Sequence, residues 1–379
     1  MTETTSRPKA GVTPLIVLGL LAVLGIACWI AQVTSGAHLL NLNNHVTWGL
    51  YLVGFVLCTG IAAGCLAFAS ATVLFGALAA LRPYARLASF VSVTVGCVGA
   101  GLFIMADLGS PARFWEMIAF AHAGSPLFWD TIVLLVYVVV SIVLTVQLVR
   151  AKQSGQESAS LKPLAVVGLI AGVCVAITSF VFAFQVARPL WNNPGQTLSF
   201  ILAAVVAAGS VLVIVFALAN RSSYLSISDK LLGIIGKTVA LFLLVELVFA
   251  LTEVAGGLFA GTGEESTAIA WLTTGPGAPF FWVEIVACVA GAVLLMQKET
   301  SPLMGGALAA LLAIFLVKYN LLQAELFNPL INFAGYDNSS GIVGGFYAPS
   351  LVEWGVTLGI IALCSLALIM GMRKFNLGK

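Results

Sequence analysis

Apolar residues run through this chain in long blocks with few polar positions inside them. A helix that crosses the hydrocarbon of a bilayer needs roughly 20 mainly apolar residues. Blocks of that kind predict helices over 12–34, 46–76, 84–106, 126–149, 164–187, 197–219, 233–259, 278–297, 303–322 and 349–372. Between the blocks fall helix breakers, among them Arg82-Pro83, Ser110-Pro111, Ser125-Pro126, Asn193-Pro194-Gly195 and Gly275-Pro276-Gly277, where turns are favoured. The first block follows Arg7 and Lys9 and is longer than the roughly 7–15 residues of a signal-peptide core, so it reads as a retained helix. The pattern predicts an all-α integral membrane protein of about ten transmembrane helices. It divides into a tail over 1–11, a single transmembrane helical domain over 12–372 and a second tail over 373–379.

Composition agrees with lipid as the solvent. Sixty per cent of the 379 residues are hydrophobic and 8% are charged, against roughly 25% charged in a soluble domain. Mean hydropathy is +1.08. A formal net charge of +2 gives no reason to expect a nucleic-acid partner. The seven cysteines all lie within apolar blocks, and no two are spaced C-x-x-C, so they read as small hydrophobes. An iron–sulfur cluster needs clustered thiolates, and none is expected in this chain. The histidines are His38, His45 and His122, none deep in a block, so neither a haem nor a metal site is expected.

Charge sets the orientation. One set of ends and connections carries Arg7, Lys9, Arg82, Arg86, Arg150, Lys152, Lys162, Arg221, Lys230, Lys298, Arg373, Lys374 and Lys379, while the opposite connections carry Arg113 and Arg188. The positive-inside rule then places both termini in the cytoplasm. Lys237 and Lys318 lie near helix ends, where each is expected to snorkel to the interface.

With that orientation, the chemistry gathers on the outer side. Trp29, Trp48, Trp115, Trp129, Trp191, Trp271, Trp282 and Trp354 all fall in the outer half, whereas an aromatic belt enriches both interfaces. Asp107, Asp130, Glu284 and Glu353 lie toward the same side. Glu246 and Glu253 are seven residues apart on the seventh helix, hence on one face, with Glu246 near mid-membrane. An acid at that depth costs roughly 2.5–3.5 kcal/mol on the gentler insertion scales and marks an ion or proton path more often than not. Glu246, Glu253 and Glu284 are therefore the candidate proton-transfer residues; a purely structural interhelical hydrogen bond is the other reading. The residues alone describe a helical bundle with an acid-lined pocket open to the outer side, suited to a proton-coupled ligand.

Several stretches narrow the choice. His45-Val46-Thr47-Trp48-Gly49-Leu50-Tyr51 is followed by Ala106-Asp107-Leu108-Gly109-Ser110-Pro111-Ala112-Arg113-Phe114-Trp115, by Ser125-Pro126-Leu127-Phe128-Trp129-Asp130 and by Arg188-Pro189-Leu190-Trp191-Asn192. Lys318-Tyr319-Asn320 and Tyr347-Ala348-Pro349-Ser350 with Glu353-Trp354 come later. In that order, the stretches resemble the NrfD/PsrC (polysulfide reductase-type) family of membrane subunits, in its longer ten-helix branch. The architecture expected is two four-helix bundles plus two additional helices.

The resemblance implies a quinone-reactive membrane subunit of a respiratory oxidoreductase, without the catalytic centre itself. It implies menaquinone or ubiquinone as ligand, a four-cluster iron–sulfur (ferredoxin-like) partner and a molybdopterin-type catalytic subunit. It places the chain in the inner (cytoplasmic) membrane, with quinone site and partner docking near the extracytoplasmic face. Carried over by position, it implies that His45, Asp107, Arg113, Asp130, Gln185 and Arg188 line or support the quinone site. His and acids can hydrogen-bond a quinone carbonyl and move its proton, and Arg can stabilise a charged oxygen. Plainer roles are open for two of them: Arg113 pairing with Asp107, and His45 capping the second helix. Relatives carry a Tyr-Thr-Gly stretch where this chain has Ile177-Thr178-Ser179, which puts the family's tyrosine contact in doubt here. The rival reading is a proton-coupled secondary transporter using Glu246 and Glu253; its prolines, however, lie at helix ends, and broken mid-span helices mark many transporters.

Overall fold

The structure is a computed structural model that describes residues 11–43, 46–120, 122–156, 158–178, 180–260, 263–327, 347–375 and 377–378. His45, residues 1–10 of the N-terminal tail, and Ser179 lie outside the described residues. Among the described residues, ten helical segments are long and apolar enough to cross a membrane. They are α1 (Val12–Ser35), α2 (Leu50–Leu74), α3 (Gly76–Asp107), α4 (Pro126–Ser154), α5 (Leu161–Ala183), α6 (Gly195–Arg221), α7 (Asp229–Phe259), α8 (Ala278–Leu295), α9 (Thr300–Leu326) and α10 (Leu351–Phe375). No β-strand occurs among the described residues.

The helices close into two rings of four. In the first, α2 packs on α3, α3 on α4, α4 on α5 and α5 back on α2. In the second, α6 packs on α7, α7 on α8, α8 on α9 and α9 back on α6. The remaining two, α1 and α10, pair with each other, and α10 leans on α3 and α2. The expected architecture of two bundles plus two helices is therefore present.

Lipid tails are as apolar as leucine, so helix association in a membrane rests on close packing and small residues. That rule is visible along α2, which touches both bundles. A methyl on Gly64 would lie 2.5 Å from the Ala208 Cβ and 2.6 Å from the Ala204 carbonyl oxygen of α6. On the opposite flank, Gly172 of α5 sits against the Ala63 carbonyl of α2 at 2.8 Å by the same measure. The α1–α10 pair uses the same device, with Gly25 and Gly359 backbone to backbone.

Helix boundaries differ from the sequence expectation where tertiary contacts intervene. The apolar block over 46–76 becomes helical only at Leu50, because the Tyr347 hydroxyl accepts the Leu50 N–H at 2.7 Å and occupies the space a Gly49 side chain would need. Val46, ahead of the helix, is fully buried instead. In α3 an α-helix over Ala85–Val93 passes through a π-helical stretch, Thr94–Ala100, before closing over Gly101–Asp107. Such bulges widen a helix locally and recur at functional sites. The regular helix of α5 ends at Ile177. Arg86, counted above as a cytoplasmic marker, is buried, with its guanidinium donating to the Gly378 carbonyl.

The α1–α10 contact generates a stability prediction. Gly25→Val forces two backbones apart, and overpacking of this kind costs about 1–3 kcal/mol. A lower unfolding temperature in detergent is expected. Gly60→Ala is the control, since its methyl would meet Ala204 at an ordinary 3.5 Å and should leave the temperature unchanged.

Candidate functional site

The alternation of spans puts the α1–α2, α3–α4, α5–α6, α7–α8 and α9–α10 connections at one end of the molecule, and all eight tryptophans lie toward that end. There the two bundles are fastened by aromatic and polar contacts. Trp48 stacks on Trp191 with ring centroids 5.5 Å apart, and Phe182 meets Trp191 edge-on. The Trp191 indole N–H donates to the Leu321 carbonyl at 2.8 Å, and Gln323 Nε2 donates to the Trp48 carbonyl at 3.1 Å. A second polar knot lies beside the start of α2. The Tyr347 hydroxyl donates to Glu353 Oε1 at 2.5 Å, and Glu353 Oε2 accepts the Ser350 N–H at 2.8 Å. Burial and the Glu353 carboxylate push the Tyr347 phenol above its ordinary range. Nearby, the Tyr51 hydroxyl donates to Gln32 Oε1, whose amide donates to the Ala106 carbonyl.

Inside the first bundle is a cavity of about 500 Å³, within the roughly 300–1,000 Å³ range of small-ligand sites. Small residues make the room: Gly60 of α2, Gly96, Ala100 and Gly101 of the π-helical region, and Ala203 and Ala204 of α6 all face it. Its walls are otherwise aromatic and aliphatic, including Trp48, Phe182 and Phe200. The polar groups are few. Asp130 and Thr178 stand beside each other on α4 and α5, and Lys318 enters from α9. The Tyr137 hydroxyl in the wall is already bonded to Ser92 at 2.5 Å.

The second bundle encloses a polar cluster. Lys318 is 2% exposed. Its Nζ donates to Ser199 Oγ at 3.2 Å and sits 3.8 Å above the Phe200 ring. The Ser199 hydroxyl in turn donates to Glu246 Oε1 at 2.5 Å. Gln196 Nε2 donates to Glu253 Oε1 at 2.6 Å, and Asn320 Nδ2 to Glu284 Oε2 at 2.7 Å. Gln196, Ser199, Glu246, Glu253, Glu284 and Asn320 line a narrow space of about 40 Å³, room for a few waters by the roughly 10–15 Å³ each requires. Glu246 Oε2 and Asn320 Oδ1 are buried there with no hydrogen-bond partner among the described residues.

The residues expected from sequence therefore separate. Asp130 lines the cavity, and Glu246, Glu253 and Glu284 converge from α7 and α8 on one cluster. Asp107 ends α3 on the side of Tyr51 and Glu353, outside the cavity wall. Arg113 is exposed and pairs with Glu116 at 2.7 Å, not with Asp107. Gln185 is exposed, reaching the Val181 carbonyl at 3.4 Å. Arg188 is half-buried, lies 5.9 Å from the Trp191 ring centroid and donates to the Glu325 carbonyl, which ties α5–α6 to α9. His45 lies outside the described residues.

Sequence reasoning missed Lys318 as a site residue. The expectation that it snorkels is overturned: the side chain turns into the bundle, where Ser199 and Phe200 hold it. A lysine flanked by long apolar runs, two residues from an asparagine, was the available signal. Ser199 and Gln196 gave none, because small polar residues are common on membrane helices and are informative only once their partners are known.

Comparison with known proteins finds relatives along nearly the whole chain. The chain is 27% identical to a putative dimethyl sulfoxide reductase membrane subunit of Halobacterium salinarum, covering 95% of this chain and 90% of that one. It is 23% identical to a selenate reductase subunit of Mesobacillus selenatarsenatis, over 92% and 90%. The Hdr-like menaquinol oxidoreductase integral membrane subunit of Archaeoglobus fulgidus is 22% identical, over 96% and 92%. The family model described as "Polysulphide reductase, NrfD" matches residues 38–329, and the chain belongs to that family.

Proposed function

We propose that this chain is the quinone-reactive membrane anchor subunit of a respiratory oxidoreductase. The observation that carries the reading is the 500 Å³ apolar cavity whose wall holds an acid, Asp130, and an amine, Lys318. A lipid-soluble quinone needs an apolar chamber reachable from the bilayer and a small number of proton-exchanging groups at its carbonyls. The names of the three relatives, two reductase subunits and one menaquinol oxidoreductase subunit, support the same class. The positive-inside distribution supports an orientation with the tryptophan-bearing end extracytoplasmic. At that end a four-cluster iron–sulfur subunit would dock and pass electrons to or from a molybdopterin-type catalytic subunit.

In this reading menaquinone or ubiquinone occupies the first bundle with its ring toward Asp130. Asp130 holds or gives up the proton at the nearer carbonyl oxygen, and Phe182, Phe200 and Trp48 exclude water from the ring. Glu246, Glu253 and Glu284 exchange protons behind it. Arg188 supports the site indirectly, by tying the α5–α6 connection to α9, and Asp107 only by its place at the end of α3. Arg113 is exposed on the docking side, suited to an acidic partner surface.

The reading can be tested directly. The complex purified in mild detergent should carry near-stoichiometric quinone and a ferredoxin-like subunit; a lone polypeptide without quinone would favour proton-coupled transport. A methyl on Gly101 would meet nothing closer than the Gly96 carbonyl at 3.9 Å, so Gly101→Leu should fold normally yet block the chamber and lose bound quinone. Asp130→Asn should retain quinone while turnover falls by about 10²-fold, the lower range for losing a general acid or base. Glu246→Gln should lower the charge moved across reconstituted vesicles per turnover; unchanged charge movement would remove Glu246 from the proton route.

A further inference from the structure

Lys318 links two spaces whose lining residues, among those described, do not overlap: it lines one and bonds a residue that lines the other. It forms part of the wall of the apolar chamber in the first bundle. It also donates to Ser199, the residue that bonds Glu246 in the second bundle. Phe200, whose ring the ammonium faces at 3.8 Å, lines the chamber as well.

Charge explains why an amine stands at this junction. Three carboxyl groups, the buried Glu246 and Glu284 and the half-buried Glu253, feel the charge of Lys318 and of one another. Uncompensated charge away from water is expensive. One ammonium can balance one carboxylate, so the cluster is neutral when the other two carboxyls carry protons. Adding or removing a proton at Lys318 therefore changes the charge of the whole cluster, and an event in the chamber is transmitted to Glu246 through Ser199.

We propose that Lys318 is the proton-exchanging residue that joins the ligand chamber to the carboxyl cluster. The assignment rests on the quinone reading above. In the reducing direction, an N–H bond of the Lys318 ammonium breaks as an O–H bond forms on one ligand oxygen, while Asp130 supplies the proton for the other. The two electrons come from the iron–sulfur class of partner. The Lys318 amine then regains a proton from Glu246 in its protonated form: the Ser199 hydroxyl turns from the carboxyl to give its proton to the amine and takes the one Glu246 releases. Glu246 and Asp130 are each left as carboxylates and take a proton back from the aqueous phase. In the oxidising direction each bond change reverses.

The test uses the whole complex in vesicles, with Lys318→Met, Lys318→Arg and the double variant Lys318→Met/Glu246→Gln. Bound quinone, turnover, charge moved per turnover and the infrared carboxyl band are each read. Lys318→Met should keep bound quinone, lose about 10²-fold in turnover, as for removal of a general acid or base, and lose the carboxyl infrared change that accompanies ligand reduction. Lys318→Arg should keep the static carboxyl spectrum, because the positive charge remains, but not the turnover. If Lys318→Met alone fails to fold, the double variant, which removes the unbalanced partner too, is expected to fold and carries the same readouts. An unchanged carboxyl signal and unchanged charge per turnover in Lys318→Met would overturn the proposal while leaving the quinone reading intact. If the wild-type complex holds no quinone, the quinone reading falls. The static carboxyl spectrum then still decides whether Lys318 is the counter-charge of the cluster, and equal spectra for wild type and Lys318→Met would overturn it.

Discussion

Helix α2 has to serve two bundles at once, and close approach of backbones is what permits it. Along a lipid-embedded helix no water is released by pairing apolar faces, so dispersion contacts at short range must supply the attraction. Gly64 against Ala204 and Ala208 brings α2 onto α6, and Gly172 brings α5 onto α2. Small residues hold helices together when both faces are small and open a space when the opposing face steps back. The chamber is of the second kind: Gly60, Ala203 and Ala204 continue the α2–α6 seam toward the π-helical stretch of α3, which carries Gly96 and Ala100. The same economy of side chains thus joins the two bundles and leaves room between the helices of the first.

Under the proposed function, the polar content of the two bundles is divided accordingly. A chamber meant for an apolar ring gains from having few polar groups, since each one left unpaired in low dielectric costs free energy. A proton route needs the opposite, closely spaced groups that can each hold or release a proton. Placing both in one bundle would put charge beside the apolar ligand. Here the carboxyls sit in the second bundle, each with a named donor from a neighbouring helix: Ser199, Gln196 or Asn320. Among the described residues, Lys318 is the member of the cluster that also lines the chamber, and its charge faces the Phe200 ring.

Length and spacing of apolar blocks carried most of the fold, because a span of fixed thickness leaves little freedom in helix length. The count of ten and the gathering of tryptophans at one end were legible for that reason. Boundaries were less so: the start of α2 is set by Tyr347, almost 300 residues away in sequence, and no local pattern contains that contact. The carboxyls were legible because an acid in an apolar run is costly wherever it points. Lys318 was not, because a long flexible side chain near a helix end has two physically acceptable destinations, the interface or the interior. Only the presence of Ser199 and the three glutamates decides between them. Arg86 repeats the lesson, since a residue that obeys the charge rule for topology is also buried against the Gly378 carbonyl.

Depth gives the proposed cluster its energetic meaning. Glu246 lies about midway along α7, whereas Asp130 lies in the second turn of α4, at the tryptophan-bearing end. Moving one elementary charge across the whole membrane works against about 2.3 kcal/mol per 100 mV, so a proton taken to mid-depth works against roughly half of that. A reaction whose protons stop at Asp130 crosses little of the field and conserves little energy. One whose protons reach Glu246 through Lys318 and Ser199 crosses a substantial part of it. Under the proposal the choice between these two regimes lies in one side chain on α9: the amine at the seam, more than the individual acids, would determine whether chemistry in the first bundle is coupled to the membrane potential through the second.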